Sequence, residues 1–310
     1  MKGMNPPRNP HKPIFLTVVC AYNEEANLRR LLPLLRGWGY DVLVVDDGSR
    51  DRTSEAALEN GCMLLRHGRR MGKGASLSEA IRFAEEMGYA AVVEVGADAI
   101  PSPGSIERIV STLLRSERIG GVSAAQVPAG PKGPAQLVDE LMWAALRYGK
   151  AIQQALTGSA HLGAVMYCFR LPVNAVESIR ASVNDDERVG LLLAGRGLKT
   201  LYEERATVIF DASSCFSHLV ERRRRMILGH LLLRSSTAPS MNPSVAVAAL
   251  ARAVSERPSR IAWVVPAVLI ELLARLLAWW DIRRGGYRRR VLWRTGYAKV
   301  PAFAYARPSS

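Results

Sequence analysis

The chain of 310 residues is poor in the features that mark secreted, repetitive or nucleic-acid-binding proteins. Its four cysteines, Cys20, Cys62, Cys168 and Cys215, lie far apart and form no CxxC pair. A thiolate zinc site and a disulfide framework are both excluded, and a reduced compartment is the expectation. An apolar signal core is also missing. Met1 to Pro13 is rich in proline and base, and the first apolar run, Ile14 to Cys20, leads straight into polar sequence, so it reads as a strand. There is no internal repeat. Acid is scarce relative to base, with 28 Asp and Glu against 42 Lys and Arg, a net charge of +14. Such a surplus suits a polyanionic partner. Aromatics make up only 7% and are not interleaved with the basic residues, so no nucleic-acid partner is expected. What is present is globular: 48% hydrophobic and 23% charged residues suffice for one sizeable domain with an appendage.

From Ile14 to about Gln126, short apolar runs alternate with helical periodicity. The strands expected are 14–20, 41–46, 62–66, 90–95 and 119–125, with helices at about 24–36, 52–60, 73–88 and 103–117. Strands that are nearly all apolar, separated by amphipathic helices, imply an α/β fold with a parallel sheet covered on both faces. Such sheets bind ligands beyond the carboxyl ends of their strands. After a Pro/Gly-rich loop (127–134) come a long helix (135–156), a strand (163–170), a polar loop (182–187), a further helix, strands near 198–210 and a helix over 215–234. The expected division is a tail (1–13), a catalytic domain (14–235) and a basic helical region (236–310).

The last region carries Ile261 to Trp280, long enough to span a bilayer but interrupted by Pro266, Glu271 and Arg275. Each central charge costs about 2.5–3.5 kcal/mol, while each large aliphatic residue returns only about 0.3–0.6. Ten Leu, Ile and Val residues therefore roughly cancel two charges. Glu271 and Arg275, four apart, suit an ion pair on a narrow stripe and leave a wide apolar face flanked by Arg257, Arg260, Arg283, Arg284 and Arg288 to Arg290. A helix lying on anionic lipid is expected; docking on the catalytic domain is the alternative.

The polar strand ends carry the chemistry. The first strand ends in VVCAYNEEANL and the second in VLVVDDGSRDRT. A nucleotide site needs a carboxylate for a base N–H, which Asp47 offers, and a flat surface, which Tyr22 offers. DDGS serves equally as a turn before a helix cap at Asp51 or Ser49. MGKG at 71–74 sets a Gly-x-Gly turn and Lys73 at a helix start, where backbone N–H groups suit a phosphate; a Walker P-loop is excluded by spacing.

In order along the chain, these segments resemble the inverting family 2 glycosyltransferases, with motif layout similar to the cellulose/hyaluronan synthase-like branch. The resemblance implies a GT-A (Rossmann-like), mostly parallel sheet flanked by helices. It gives donor-binding roles to Tyr22, Asp47, Glu24 and Lys73. The family's Asp-x-Asp at the fourth strand end holds Mg2+ or Mn2+; here EVGADAIP keeps only Asp98, with Gly96 in the first position. NDDERVG resembles the family's acidic pair, with Asp186 as the base and Asp185 as its neighbour. ERRRRMILGH resembles the Gln-x-x-Arg-Trp element, with Arg222 in place of Gln, Met226 in place of Trp, and Arg225 matching the arginine on the donor diphosphate. His161, near the acceptor pocket of relatives, is read as structural.

The resemblance thus implies inverting, metal-dependent transfer from a UDP- or GDP-sugar to a hydroxyl on a glycan or lipid-linked acceptor. An anionic membrane surface is the expected partner and the cytoplasmic face of the cell membrane the expected place. Two other readings stay open: a polyprenyl (dolichyl) phosphate sugar synthase, and a non-catalytic nucleotide-binding protein of the same fold.

Overall fold

A computed structural model describes residues 15–130, 133–163, 165–233 and 241–285. The first half alternates strand and helix as the periodicity requires. The strands are β1 (Phe15–Ala21), β2 (Val42–Asp46), β3 (Met63–Arg66) and β4 (Ala91–Val95), and the helices α1 (Glu25–Gly37), α2 (Thr53–Glu59), α3 (Lys73–Glu86) and α4 (Ser105–Leu114). Every residue of β2 and β4 is buried, because helices cover both faces of the sheet.

The second half comprises β5 (Ala99–Pro101), β6 (Ile119–Ala129), α5 (Pro134–Thr157), β7 (Met166–Arg170), α6 (Glu177–Arg180), α7 (Asp185–Ala194), β8 (Lys199–Asp211) and α8 (Phe216–Leu233). Eight strands form one sheet in the order β3-β2-β1-β4-β7-β6-β8-β5. It is mostly parallel, as expected, but β7 runs antiparallel to both β4 and β6, and β5 antiparallel to β8. Direction was not readable from the sequence: the first four residues of β7 are all buried, so its pattern does not show which way the strand runs. Three-residue β5 is too short to show a period.

Two cores flank the sheet. One joins α1 and α4 to Val19, Val44, Val93 and Val122; the other joins α3 and α7 to Leu16, Val18, Leu43 and Tyr167. A third packs α5 and α8 against α9 (Pro243–Glu256) and α10 (Val264–Arg283), which follow one another through a 3-10 turn at Pro258–Trp263. The tail therefore shares a core with the domain it follows. Met1 to Pro13, Arg288 to Arg290 and residues 234–240 of the linker lie outside the described residues.

Small residues let α10 lie close on α8: Ala274 and Ala278 meet Ile227 and Leu228. Arg223 donates from Nε and Nη2 to Glu271 Oε2 (2.9 and 2.6 Å), and Arg224 makes a two-pronged contact with Asp281 (2.8 and 2.5 Å). Glu271 also takes the expected i,i+4 contact from Arg275 at 2.9 Å. The two placements open from sequence turn out not to be exclusive, since one face of α10 is docked and the other is bare.

Candidate active site

The carboxyl ends of β1 and β2 are knotted together. Buried Asp46 accepts from Ser49 N (2.8 Å) and from Ser54 Oγ, which closes the DDGS turn. Asp51 accepts from Thr53 N at 3.1 Å just before α2, whose N-cap position is held by Arg52 and not by Asp51 or Ser49. The β1 end is stitched to this turn by Asn23 N to Ser49 Oγ and Glu24 N to Thr53 Oγ1, both 2.9 Å, and Glu24 Oε2 accepts from Asn27 at 2.6 Å.

Asp47 is buried and committed to the chain itself. It accepts from Met71 N (2.6 Å), Gly72 N (2.8 Å) and His67 Nδ1 (2.8 Å), pinning the loop that leads into α3. Gly48 permits this approach: its φ is +76°, and a Cβ there would lie 2.7 Å from the Arg69 carbonyl carbon. The same loop brings the Arg70 guanidinium to 4.1 Å from the Tyr22 ring centroid. Asp47 thus lends its carboxylate to the loop, and the Arg70 guanidinium lies over the ring of Tyr22.

Lys73, the first residue of α3, turns its Nζ inward, 3.1 Å from Glu94 Oε1 and 3.5 Å from Asp185 Oδ2. Burial works against the charge, yet Asp185 and Glu94 outweigh it and hold the ammonium above the ordinary lysine value. Glu94 has no exposed surface. Burial lifts its carboxyl to about 8 despite the lysine beside it.

Asp185, Asp186 and Glu187 form the first turn of α7 after Asn184, and all three are buried. Their place at a helix N-terminus favours negative charge. Burial, then the neighbouring Asp185 charge, raise Asp186 to about 6. One lysine thus lies in the field of three carboxylates, Glu94, Asp185 and Asp186.

Helix α8 closes over this segment. Arg225 Nη2 donates to Val183 O at 3.2 Å, Asn184 Nδ2 donates to Met226 O at 3.0 Å, and His230 pairs with Glu187. Gly229 leaves the space that the Asn184 side chain fills. Burial pulls Arg225 down to about 10, while Asp185 and Asp186 sustain its charge. Arg222 points elsewhere: it pairs with buried Asp139 of α5, its guanidinium 5.3 Å from the Trp143 ring. Consecutive helical residues diverge by about 100°.

Asp98 stands exposed in the turn after β4. A Cβ on Gly96 would lie 3.1 Å from Asp98 Oδ1, so the first carboxylate of a pair would sit here if the chain carried one. Register sets Asp211, the last residue of β8, next to Asp98 across β5. Asp211 is raised by burial and by the Asp98 charge, with Arg30 opposing. Among the described residues no cluster of three or more His, Cys, Asp and Glu could hold a metal alone. The donor set still fits a hard divalent cation bound by one or two carboxylates and completed by diphosphate oxygens and water.

Four buried polar groups escaped sequence reasoning. Glu94 and Tyr167 are cross-strand partners on β4 and β7 that face the acidic pair. The Tyr167 hydroxyl, Lys150 Nζ and the Gln126 amide lack hydrogen-bond partners. Lys150 is fully buried and lowered to about 8 by that burial, with Asp186 opposing. The signal was a charged residue inside an apolar stretch, Glu94 in AVVEV and Lys150 late in α5.

A family model described as glycosyl transferase family 2 matches residues 17–171, half of the chain. Among curated proteins, an undecaprenyl-phosphate mannosyltransferase of Micrococcus luteus is 30% identical over 122 residues, covering 37% of this chain and 49% of that protein. A dolichyl-phosphate beta-glucosyltransferase of Trichomonas vaginalis is 29% identical over 117 residues, 33% of this chain and 36% of its own. The chain thus spans less than half the length of these relatives. Among solved structures, a mannosyltransferase of Pyrobaculum calidifontis in complex with GDP-Man and Mn2+ aligns over 90% of this chain and 88% of its own, with TM-score 0.56 and 17% identity. That likeness carries the GT-A architecture. With the match over half its length, the chain belongs to glycosyl transferase family 2.

Proposed function

We propose that the protein transfers a sugar, with inversion, from a UDP- or GDP-sugar to an acceptor hydroxyl, on a lipid-linked or membrane-proximal glycan at the cytoplasmic face of the membrane. The observation that carries this reading is Asp186: a buried carboxylate, raised to about 6, set against Asp185 and within the field of Lys73 and Arg225. Asp186 takes the proton from the acceptor hydroxyl. The freed oxygen lone pair forms the new bond to the anomeric carbon as the old bond to the diphosphate oxygen breaks on the opposite face. The electrons leave with the nucleoside diphosphate.

Lys73 acts in this reading through the acids: bound to Glu94 and Asp185, it fixes the pair next to the reacting hydroxyl. Arg225, whose charge Asp185 and Asp186 sustain beside the acidic turn, is the cation for the diphosphate. Asp98, with Asp211 beside it, would hold Mg2+ or Mn2+, which supplies neutralising charge to the leaving diphosphate when bound. The mannosyltransferase of similar fold is named with Mn2+ and GDP-Man, which supports this.

A second reading, a polyprenyl-phosphate sugar synthase, gains from the names of the two curated relatives. It gains further because Arg222 to Arg224 are structural here. A phosphate acceptor is already ionised and needs no base. Asp186→Asn separates the two: loss of transfer to hydroxyl acceptors favours the first reading, and wild-type rates with a polyprenyl phosphate favour the second. Failure of nucleotide sugars to be bound or hydrolysed, with Mg2+ or Mn2+, sinks both.

A further inference from the structure

The outward face of α10 is apolar along its whole length. Ile261 (68% exposed) and Val265 (67%) begin the stripe, Leu269 (60%), Leu272 (57%) and Leu276 (57%) continue it, and Trp279 and Trp280 end it. Steps of three and four residues put all of them on one side of the helix. Twenty residues at about 1.5 Å each make this face about 30 Å long. A patch of this size is far more than scattered surface leucines.

The far end of the stripe is cationic: the Arg283 guanidinium lies 4.3 Å from the Trp279 ring and that of Arg284 4.3 Å from Trp280, while Arg257, before the stripe begins, is paired with Glu140. Tryptophan with arginine is the pairing that suits the headgroup level, where an apolar body and a charged tip are both accommodated. The buried face decides the orientation. Glu271 and Asp281 are bound to Arg223 and Arg224 of α8, so α10 could cross a bilayer only by breaking both contacts and carrying two acids into hydrocarbon.

We infer that α10 lies in the plane of an anionic bilayer surface while docked on α8, with its Leu/Trp stripe sunk about 5–10 Å into the headgroup–acyl boundary. This deepens the proposed function by naming the surface at which it works, but the contact needs no catalysis. The test is flotation of the full chain with vesicles of phosphatidylcholine, with and without phosphatidylglycerol. Wild type should float with the anionic vesicles, at least tenfold more than with the neutral ones, and high salt should weaken the association.

The surface variant Leu269→Glu/Leu276→Glu should stay in solution. Arg283→Glu/Arg284→Glu should lose the preference for anionic lipid. Circular dichroism checks that both are folded. Alkaline carbonate should release bound wild-type protein, and lipids brominated near the headgroup should quench Trp279 and Trp280 more than those brominated near the chain end. Three results would overturn the inference: no association with anionic vesicles, carbonate-resistant insertion with deep quenching, or a concentration-dependent dimer that protects the stripe in solution. Nucleotide-sugar hydrolysis measured without vesicles reports separately on the catalytic reading.

Discussion

Asp186→Asn should make the protein more stable and abolish its catalysis. The folded structure raises Asp186 from an ordinary value near 3.8 to about 6, through burial and the charge of Asp185. A group raised on folding contributes its full stability below its unfolded pKa and loses it as pH rises through the folded one. Two units correspond to about 3 kcal/mol at about 1.36 kcal/mol each. The wild type therefore gives up about 3 kcal/mol of this contribution between pH 4 and pH 7. Asparagine keeps the shape and the acceptor oxygen for the Glu187 backbone N–H, and carries no charge to desolvate. Urea denaturation of both proteins at a series of pH values is the assay. The two should be nearly equal at pH 4, and the variant more stable by 1–3 kcal/mol, roughly, at pH 8. A variant that is less stable at pH 8, or a gap that does not widen with pH, refutes the account of a strained base.

Other expectations are simpler. The transfer rate to a hydroxyl acceptor should fall tenfold per pH unit below about 6 and level off above it; a flat profile down to pH 5 would remove Asp186 as the base. Asp98→Ala should weaken Mn2+ binding, read by electron paramagnetic resonance in the presence of nucleoside diphosphate, and Asp211→Ala should weaken it less; unchanged binding in Asp98→Ala would place the ion elsewhere. Gly74→Ala should destabilise by about 1–3 kcal/mol in thermal or chemical melts, because its Cβ would run into the Ile179 carbonyl where α3 meets α6. Lys73→Met should cost more activity than stability and should shift the lower limb of the pH–rate profile upward; an unmoved profile would show that Lys73 does not act on the acidic pair.

Much of the scaffold was legible because its strands are short, apolar and separated by helices of clear period. β1 to β4 appear within a residue or so of where the pattern sets them. The reversal of β7 was hidden because a strand buried on both faces carries no sign of its direction. In the site, Asp185, Asp186 and Arg225 come together, whereas Arg222, Lys73 and Asp47 turn toward protein partners. The cause is common to all three: residue type and spacing specify that a charge is present near a cleft, and only packing decides which way it points. Glu94 shows the converse: a carboxylate inside an apolar strand, it lies on the sheet face where Lys73 and the acidic pair gather.

The run Arg222 to Arg225 has a practical consequence for anyone trimming the protein. Successive members turn away from one another, so Arg223 and Arg224 reach the tail while Arg225 reaches the loop before Asp185. Cutting the chain near residue 235 to obtain a shorter, more soluble piece would leave two guanidinium groups stranded and uncover Ile227 and Leu228, on which the alanines of α10 rest. Because the same helix holds the acidic turn in place, the damage would not stay at the cut. A shortened protein that binds donor poorly would report a loosened clamp rather than a missing catalytic group.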